Sequence, residues 1–416
     1  LEVFIELLVL LMLTRALGEA AERLGQPASV GEIVAGIALA SLAVWFGDSI
    51  PFLESLIASE ILEYVANLGI FVLVLLAGIE MEPKEIAENS AGALAVAVGG
   101  MVVPLVAGFG LAWLFLPDTD ARQAQALLAG VALSISAIPA TIKLLGDAGL
   151  LHTRVGETVV SAAVIDDVLG LFLLAILLAV IETKHIPDLA TLGLLLAKVL
   201  VFFAITIALG AHVYPRVSRG LRTMQAASVE LSALAGVALA YGLLAEILGM
   251  HWIPGGFMAG LYFEKSRVGV RAYNEIRLIC AAIASGFLGP LFFASIGLRV
   301  DLTAVTAVPL FLFLLIVVAV VGKIVGAGLP ALWVGLKRQE AFAVGAGLSA
   351  RGAIELVVLS IAFEAGLFAQ GDHGDPVVAH LFSSLIIMAV VTTLLAPVLL
   401  RRVLPRSDDK GGAPSV

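Results

Sequence analysis

The sequence predicts an all-α polytopic membrane protein with about thirteen transmembrane helices. Three observations predict it. First, the 416 residues are 61% hydrophobic and only 14% charged, where soluble domains run about 45–50% apolar and about 25% charged. Second, the apolar residues fall into runs near the ~20 residues that a helix needs to cross a bilayer. Third, Lys and Arg gather on alternate connections between those runs. Lone cysteine Cys280 excludes an internal disulfide framework and any multi-cysteine metal site.

The runs lie near 2–24, 28–47, 58–80, 88–116, 123–146, 156–181, 188–213, 226–249, 252–264, 277–299, 304–335, 340–366 and 376–400. The ninth is short and the eleventh long. Connections are short throughout, so no soluble domain fits between spans. Residues 1–400 therefore read as one membrane unit, followed by a polar tail at 401–416, RRVLPRSDDKGGAPSV. An odd number of spans puts the two termini on opposite sides. One set of connections, with the tail, holds Arg15, Arg23, Lys84, Lys143, Arg154, Arg216, Arg219, Arg222, Lys265, Arg267, Arg271, Arg277, Lys337, Arg338, Arg401, Arg402, Arg406 and Lys410. The other set holds Arg122, Lys184 and Arg299. About eighteen against three is a strong positive-inside bias, which places the N-terminus outside and the C-terminus in the cytoplasm.

Two spans are interrupted. The fifth, ALLAGVALSISAIPATIKLLG, carries Ser134, Ser136, Pro139 and Thr141 mid-span. Pro139 removes a backbone donor and frees a carbonyl. The twelfth, AVGAGLSARGAIELVVLSIA, carries Gly345, Gly347, Ser349, Arg351 and Gly352. Interruptions at matching places in two halves point to a transporter binding site. The two spans are seven apart, which fits two six-span repeats of inverted topology with the seventh span as linker.

The chemistry centres on Asp166 and Asp167 in SAAVIDDVLGLFLLAILLAV. Ionised carboxylates at membrane depth are costly, and adjacent ones repel each other. The use that explains them is binding a proton or a metal cation partway across the bilayer. Helical neighbours project about 100° apart, so one carboxylate can face a cavity while the other reaches a neighbouring helix. Lys323, in VVAVVGKIVGAGLPAL, needs an acidic partner at that depth, and one of the aspartates is the natural choice. Arg351 and Glu355 stand at i and i+4, the spacing of an ion pair that braces the broken span. Ser134, Ser136 and Thr141 are candidate neutral ligands. The competing reading is that each hydroxyl bonds the preceding turn. Lys198 reads as snorkelling toward the outer surface, and Glu32 as structural. None of the six histidines falls mid-span beside the aspartates.

Five stretches, in order along nearly the whole chain, resemble the monovalent cation:proton antiporter-2 family, which includes sodium/proton antiporters, Kef-type potassium efflux proteins and plant cation/proton exchangers. They are Gln26-Pro27 with Gly31-Glu32-Ile33-Val34-Ala35-Gly36; LGIFVLVLLAGIEME (68–82); AAVIDDVLGL (162–171); GPLFFASIGLRVDL (289–302); and GKIVGAGLPA (322–331) followed by ARGAIELVV (350–358). The resemblance implies crossed, discontinuous fifth and twelfth spans and a bacterial plasma-membrane homodimer. It implies a dimerisation part near 1–57 and 188–276, and an ion-carrying part near 58–187 and 277–400. Asp167 is implied as the main cation and proton carboxylate, and Asp166 as paired with Lys323. Ala353 after Gly352, and Ser136-Ala137-Ile138-Pro139 in the fifth span, depart from many sodium/proton relatives. Both departures fall near the site and bear on cation choice.

The expected activity is alternating access, with two protons or one monovalent cation, Na⁺ first and K⁺ as the alternative, occupying the aspartates in turn. It would serve cytoplasmic pH homeostasis. No cofactor and no nucleic-acid partner is implied. An intramembrane aspartyl protease is the remote alternative, but its YD and GxGD motifs are absent. Adjacent aspartates on one helix also point apart and could not clamp one water.

Overall fold

In the computed structural model the described residues are 2–46, 51–57, 59–81, 91–136, 141, 145, 150, 153–183, 189–212, 229–369 and 374–403. The fold is all-helical over these residues. Lys84, Pro139, Lys143, Lys184, Arg216, Arg219, Arg222, Arg406 and Lys410, and most of the second half of the fifth span, lie outside them.

Fifteen principal helices follow the apolar runs: α1 (Glu2–Arg23), α2 (Ala28–Phe46), α3 (Glu60–Glu80), α4 (Ala91–Phe115), α5 (Arg122–Ser134), α6 (Arg154–Thr183), α7 (Leu189–His212), α8 (Val229–Ile247), α9 (Ile253–Leu261), α10 (Val270–Ile283), α11 (Gly289–Leu298), α12 (Pro309–Trp333), α13 (Arg338–Gly347), α14 (Ala353–Glu364) and α15 (Leu381–Val403). Helices are the form in which a lipid-embedded segment satisfies its own backbone groups. Eight helical stretches among the described residues are individually long and apolar enough to cross a membrane. The others fall short for visible reasons. The twelfth span is split into α13 and α14, α5 stops midway at Ser134, and α1 carries Glu2, Glu6, Arg15, Glu19, Glu22 and Arg23. At nine residues α9 is about 14 Å long.

The tenth span begins at Val270, a full two turns before the apolar run suggests. Arg271, Glu275 and Arg277 hide its start from hydropathy. It passes through a π-helical turn at Ala284–Leu288 and continues as α11. The eleventh is tighter than its run, because a separate turn at Ala304–Ala307 precedes α12.

The packing repeats under an offset of seven spans. α1 packs on α2 as α8 packs on α9, and α2 meets α11 as α9 meets α3. Within the other set, α4 packs on α5 and α6 as α12 packs on α13 and α15, and α4 crosses its own counterpart α12. Small residues allow these approaches. Gly36 lies against Gly297 where α2 crosses α11, and Gly78 against Gly260 at the matching crossing of α3 and α9. A Cβ on any of the four would overlap the partner backbone. Two bundles result. One holds α1, α2, α3, α8, α9, α10 and α11. The other holds α4, α5, α6, α12, α13, α14 and α15, with α14 also touching α3. The third and tenth spans, grouped by the sequence boundaries with 58–187 and 277–400, pack chiefly on α1, α2 and α9.

Candidate ion-binding site at the crossing of two broken spans

The site forms where two spans lose their helical hydrogen bonds. α5 ends at Ser134, and Ile135 turns extended (φ −74°, ψ 140°). α13 ends at Gly347, and α14 restarts after Gly352 (φ −158°, ψ −160°). Such ends expose carbonyls and N–H groups without intrahelical partners. Each broken span supplies a cap for the other. The Arg351 guanidinium donates to the carbonyls of Ala132 (3.0 Å), Leu133 (2.8 Å) and Ile135, at the C-terminal end of α5. A cation at a helix C-terminus is favourably placed against its dipole. In return Thr141 Oγ1, beyond the break in the fifth span, donates to Gly347 O at the end of α13 (3.0 Å).

Asp166 and Asp167 lie in the middle of α6 and are 2% and 3% exposed, and Asp166 reaches this crossing. Their surroundings differ. Asp166 Oδ2 accepts from Lys323 Nζ (3.3 Å) and from the Ser136 backbone N–H just past the end of α5 (2.9 Å). Lys323, on α12 and fully buried, also donates to Ser136 Oγ (2.7 Å). Asp167 Oδ1 is buried with no hydrogen-bond partner among the described residues, as is Asp166 Oδ1. Adjacency in sequence thus becomes a division of labour. Asp166 is locked through Oδ2 to an ammonium and a backbone donor, while Asp167 makes no ion pair among the described residues.

Glue for the twelfth span is more distributed than the i,i+4 spacing suggests. Arg351 Nε stands 3.7 Å from Glu355 Oε2, an ion pair rather than a hydrogen bond. The guanidinium spends its hydrogen bonds on α5 instead, and both Glu355 oxygens lack a hydrogen-bond partner among the described residues. Of the hydroxyls, Ser134 donates back to Val131 O (2.7 Å), Ser136 accepts from Lys323 on α12, and Thr141 reaches across the crossing. Lys198 lies away from the site, against Gly249 in the turn after α8. Sequence reasoning missed Thr393 on α15, whose Oγ1 accepts from the Arg351 backbone N–H (3.1 Å). The buried hydroxyls Ser383, Ser384, Thr392 and Thr393 inside one apolar span were the available signal.

Among these five buried ionisable groups, three acids face two bases, a formal −3 against +2. The surplus negative charge sits beside unpartnered carboxylate oxygens, which can take up one small cation or one proton. Crossed broken helices with a buried, cation-hungry carboxylate at their junction define an ion-coupled secondary transporter rather than an enzyme.

The chain belongs to the sodium/hydrogen exchanger family: the profile described as "Sodium/hydrogen exchanger, transmembrane" matches residues 8–405. It is 28% identical to the Na(+)/H(+)-K(+) antiporter GerN of Bacillus cereus over 400 residues, covering 96% of each chain. It is 25% identical to the Na(+)/H(+) antiporter of Enterococcus hirae, covering 96% of this chain and 97% of that one. It is 30% identical to Cation/H(+) antiporter 20 of Arabidopsis thaliana, covering 94% of this chain and about half (48%) of that longer protein. In fold it is similar to the solved sodium proton antiporter MjNhaP1 from Methanocaldococcus jannaschii, at TM-score 0.74 and 16% identity, covering 97% of this chain and 100% of that chain.

Proposed function

We infer that this chain is a secondary active antiporter that exchanges a monovalent cation, Na⁺ first, for protons by alternating access at the Asp166–Asp167 site. One observation carries the reading. Asp167 is buried mid-span with an oxygen left free, while its neighbour is already neutralised by Lys323. A cation entering there must exchange water for oxygen ligands. Asp167 offers carboxylate oxygen, and the helix breaks offer backbone carbonyls. A proton on the same carboxylate removes the charge that the cation needs. The two ions therefore compete, and competition at a shared group is enough to couple their flows.

Alternating access needs a part that moves and a part that stays. The packing supports a mobile unit of residues 91–183 and 309–403, carried on a scaffold that also includes the third and tenth spans. That unit is narrower than the 58–187 and 277–400 suggested by sequence resemblance. The scaffold is the proposed homodimer interface. The bacterial relatives and the cation bias favour a bacterial plasma membrane, with the N-terminus outside and the C-terminus cytoplasmic.

K⁺/H⁺ exchange is the second reading, supported by a relative named as a Na(+)/H(+)-K(+) antiporter. Purified protein in proteoliposomes, with a pH-sensitive dye inside and Na⁺, Li⁺ or K⁺ added in turn, separates the two. Na⁺ is expected to release protons from acid-loaded vesicles at the lowest concentration. Asp167→Asn should abolish the response to every cation, and retained exchange would remove Asp167 from the mechanism.

A further inference from the structure

One buried acid takes no part in the transport site. Glu32, in the second turn of α2, is 3% exposed. Among the described residues no hydrogen bond reaches its carboxylate. Its ion contact is Arg15 Nη1 at 3.9 Å, too long for a hydrogen bond. The side chain lines a cavity of about 530 Å³ that it shares with Arg15, Glu19, Glu22, Ser29 and Ala284, Ser285 and Gly286 of the π-helical turn. Arg15 also donates to Ser285 O in that turn (2.9 Å), so it ties α1 to the tenth span at the widest point of its helix.

The cavity carries both signs of charge. Buried Glu32 calls for a positive group with N–H donors, because a desolvated carboxylate gains most from charge-assisted hydrogen bonds, whereas Glu19 is exposed and already paired with Arg23 at 2.9 Å. Arg15, whose side chain is 53% exposed, is left to meet an anionic group, and its planar fork suits phosphate. The surface beyond the cavity is apolar. On α1, Leu8 and Met12 lie on the same helical face as Arg15 and Glu19 and are 60% and 64% exposed. Across the seam, Ile283 and Phe287 are exposed too. A zwitterionic polar socket that opens onto two apolar strips matches a phospholipid with its chains along the helices.

We propose that this cavity binds the headgroup of phosphatidylethanolamine, ammonium on Glu32 and phosphate on Arg15, bracing α1 against the π-helical turn of the tenth span. The primary ammonium distinguishes this lipid. It has three N–H donors, whereas the quaternary amine of phosphatidylcholine has none. An anionic headgroup such as phosphatidylglycerol leaves Glu32 unanswered and adds like charge.

The test is competitive lipid binding to the full-length protein in detergent, read by native mass spectrometry. The dioleoyl lipids run from phosphatidylethanolamine through its mono- and dimethyl forms to phosphatidylcholine, with phosphatidylglycerol as the anionic arm and soluble phosphoethanolamine as the headgroup without chains. Retention should fall stepwise with methylation, by about tenfold in all, the equivalent of roughly 1.4 kcal/mol. Glu32→Gln, checked for folding by its elution volume, should flatten the series. Phosphoethanolamine should compete weakly, since it lacks the apolar contacts. Equal retention of all the lipids, or preference for phosphatidylglycerol, overturns the proposal, as does a Glu32→Gln protein that keeps the full methylation series. If that variant does not fold, the methylation series on the unaltered protein decides alone.

Discussion

Asp166 and Asp167 share a helix turn, yet their substitution should have opposite consequences for stability. Asp166→Asn leaves Lys323 fully buried without its carboxylate. Breaking a buried ion pair from one side typically costs about 3–5 kcal/mol. Asp167→Asn removes a buried charge that makes no ion pair among the described residues, so it should leave the unfolding temperature unchanged or raise it. Thermal unfolding in detergent ranks the two, and a larger loss in Asp167→Asn would contradict the geometry. Adding Lys323→Met to Asp166→Asn should recover much of the loss, because the orphaned ammonium goes with it. The same comparison separates folding from transport. Asp167→Asn should be well folded and inactive, which is the signature of a carrier group rather than a brace.

The elements are held at two kinds of junction. At the broken spans, a side chain from each covers carbonyls of the other. Arg351→Lys keeps the charge but cannot fork across Ala132, Leu133 and Ile135. Each carbonyl left buried and unpaired costs about 1–3 kcal/mol, so the unfolding temperature should drop sharply. Thr141→Val, which orphans the Gly347 carbonyl alone, should drop it less. Equal effects would mean that the guanidinium acts as a point charge. At the intact crossings, backbones touch through glycine. Gly78→Ala and Gly260→Ala drive a methyl into the facing chain and should cost about 1–3 kcal/mol. Gly110→Ala, where a Cβ meets open space, is the control, and it gains helix propensity. A chemical denaturation series that finds the three alike would refute the close approach.

For the molecule as a whole, the seam between the two bundles decides whether anything can move. Arg299, at the C-terminal end of α11, sits over the Phe363 ring on α14 at 4.5 Å, and so joins the proposed scaffold to the proposed mobile unit. Arg299→Cys with Phe363→Cys, in a Cys280→Ala background, can be bridged by a short cleavable thiol reagent. The bridge should stop cation-driven proton release in proteoliposomes, and cleaving it should restore the rate. Unchanged exchange in fully bridged protein would show that these two helices travel together and that the proposed boundary is misplaced. A bridge between Gly36→Cys and Gly297→Cys is unsuitable as a control, since those positions tolerate no added atom. Two exposed residues on α8, Leu239 and Leu243, supply the matching bridge within the scaffold.

The sequence by itself determined the class of fold, the thirteen apolar segments, the two interrupted spans and the aspartate pair. Each rests on a local cost that a single chain segment must meet: apolar length to cross lipid, a broken ladder where Pro or Gly falls, an unusual expense for ionised groups in hydrocarbon. The start of the tenth span escaped because Arg271, Glu275 and Arg277 disguise its first turns. Family resemblance already implied Asp166 as the partner of Lys323, but the residues' own spacing left either aspartate open, and only the tertiary structure set Lys323 Nζ 3.3 Å from Asp166 Oδ2. Neighbours on one helix are alike until the helices around them are placed. It also decided that Arg351 serves the far broken span more than its own i+4 partner. The carbonyls it caps belong to the backbone and leave no trace in residue identity. Spacing along a chain reports which groups can meet within a helix. Which groups do meet across helices depends on where the crossings fall, and those are set by the whole packed bundle.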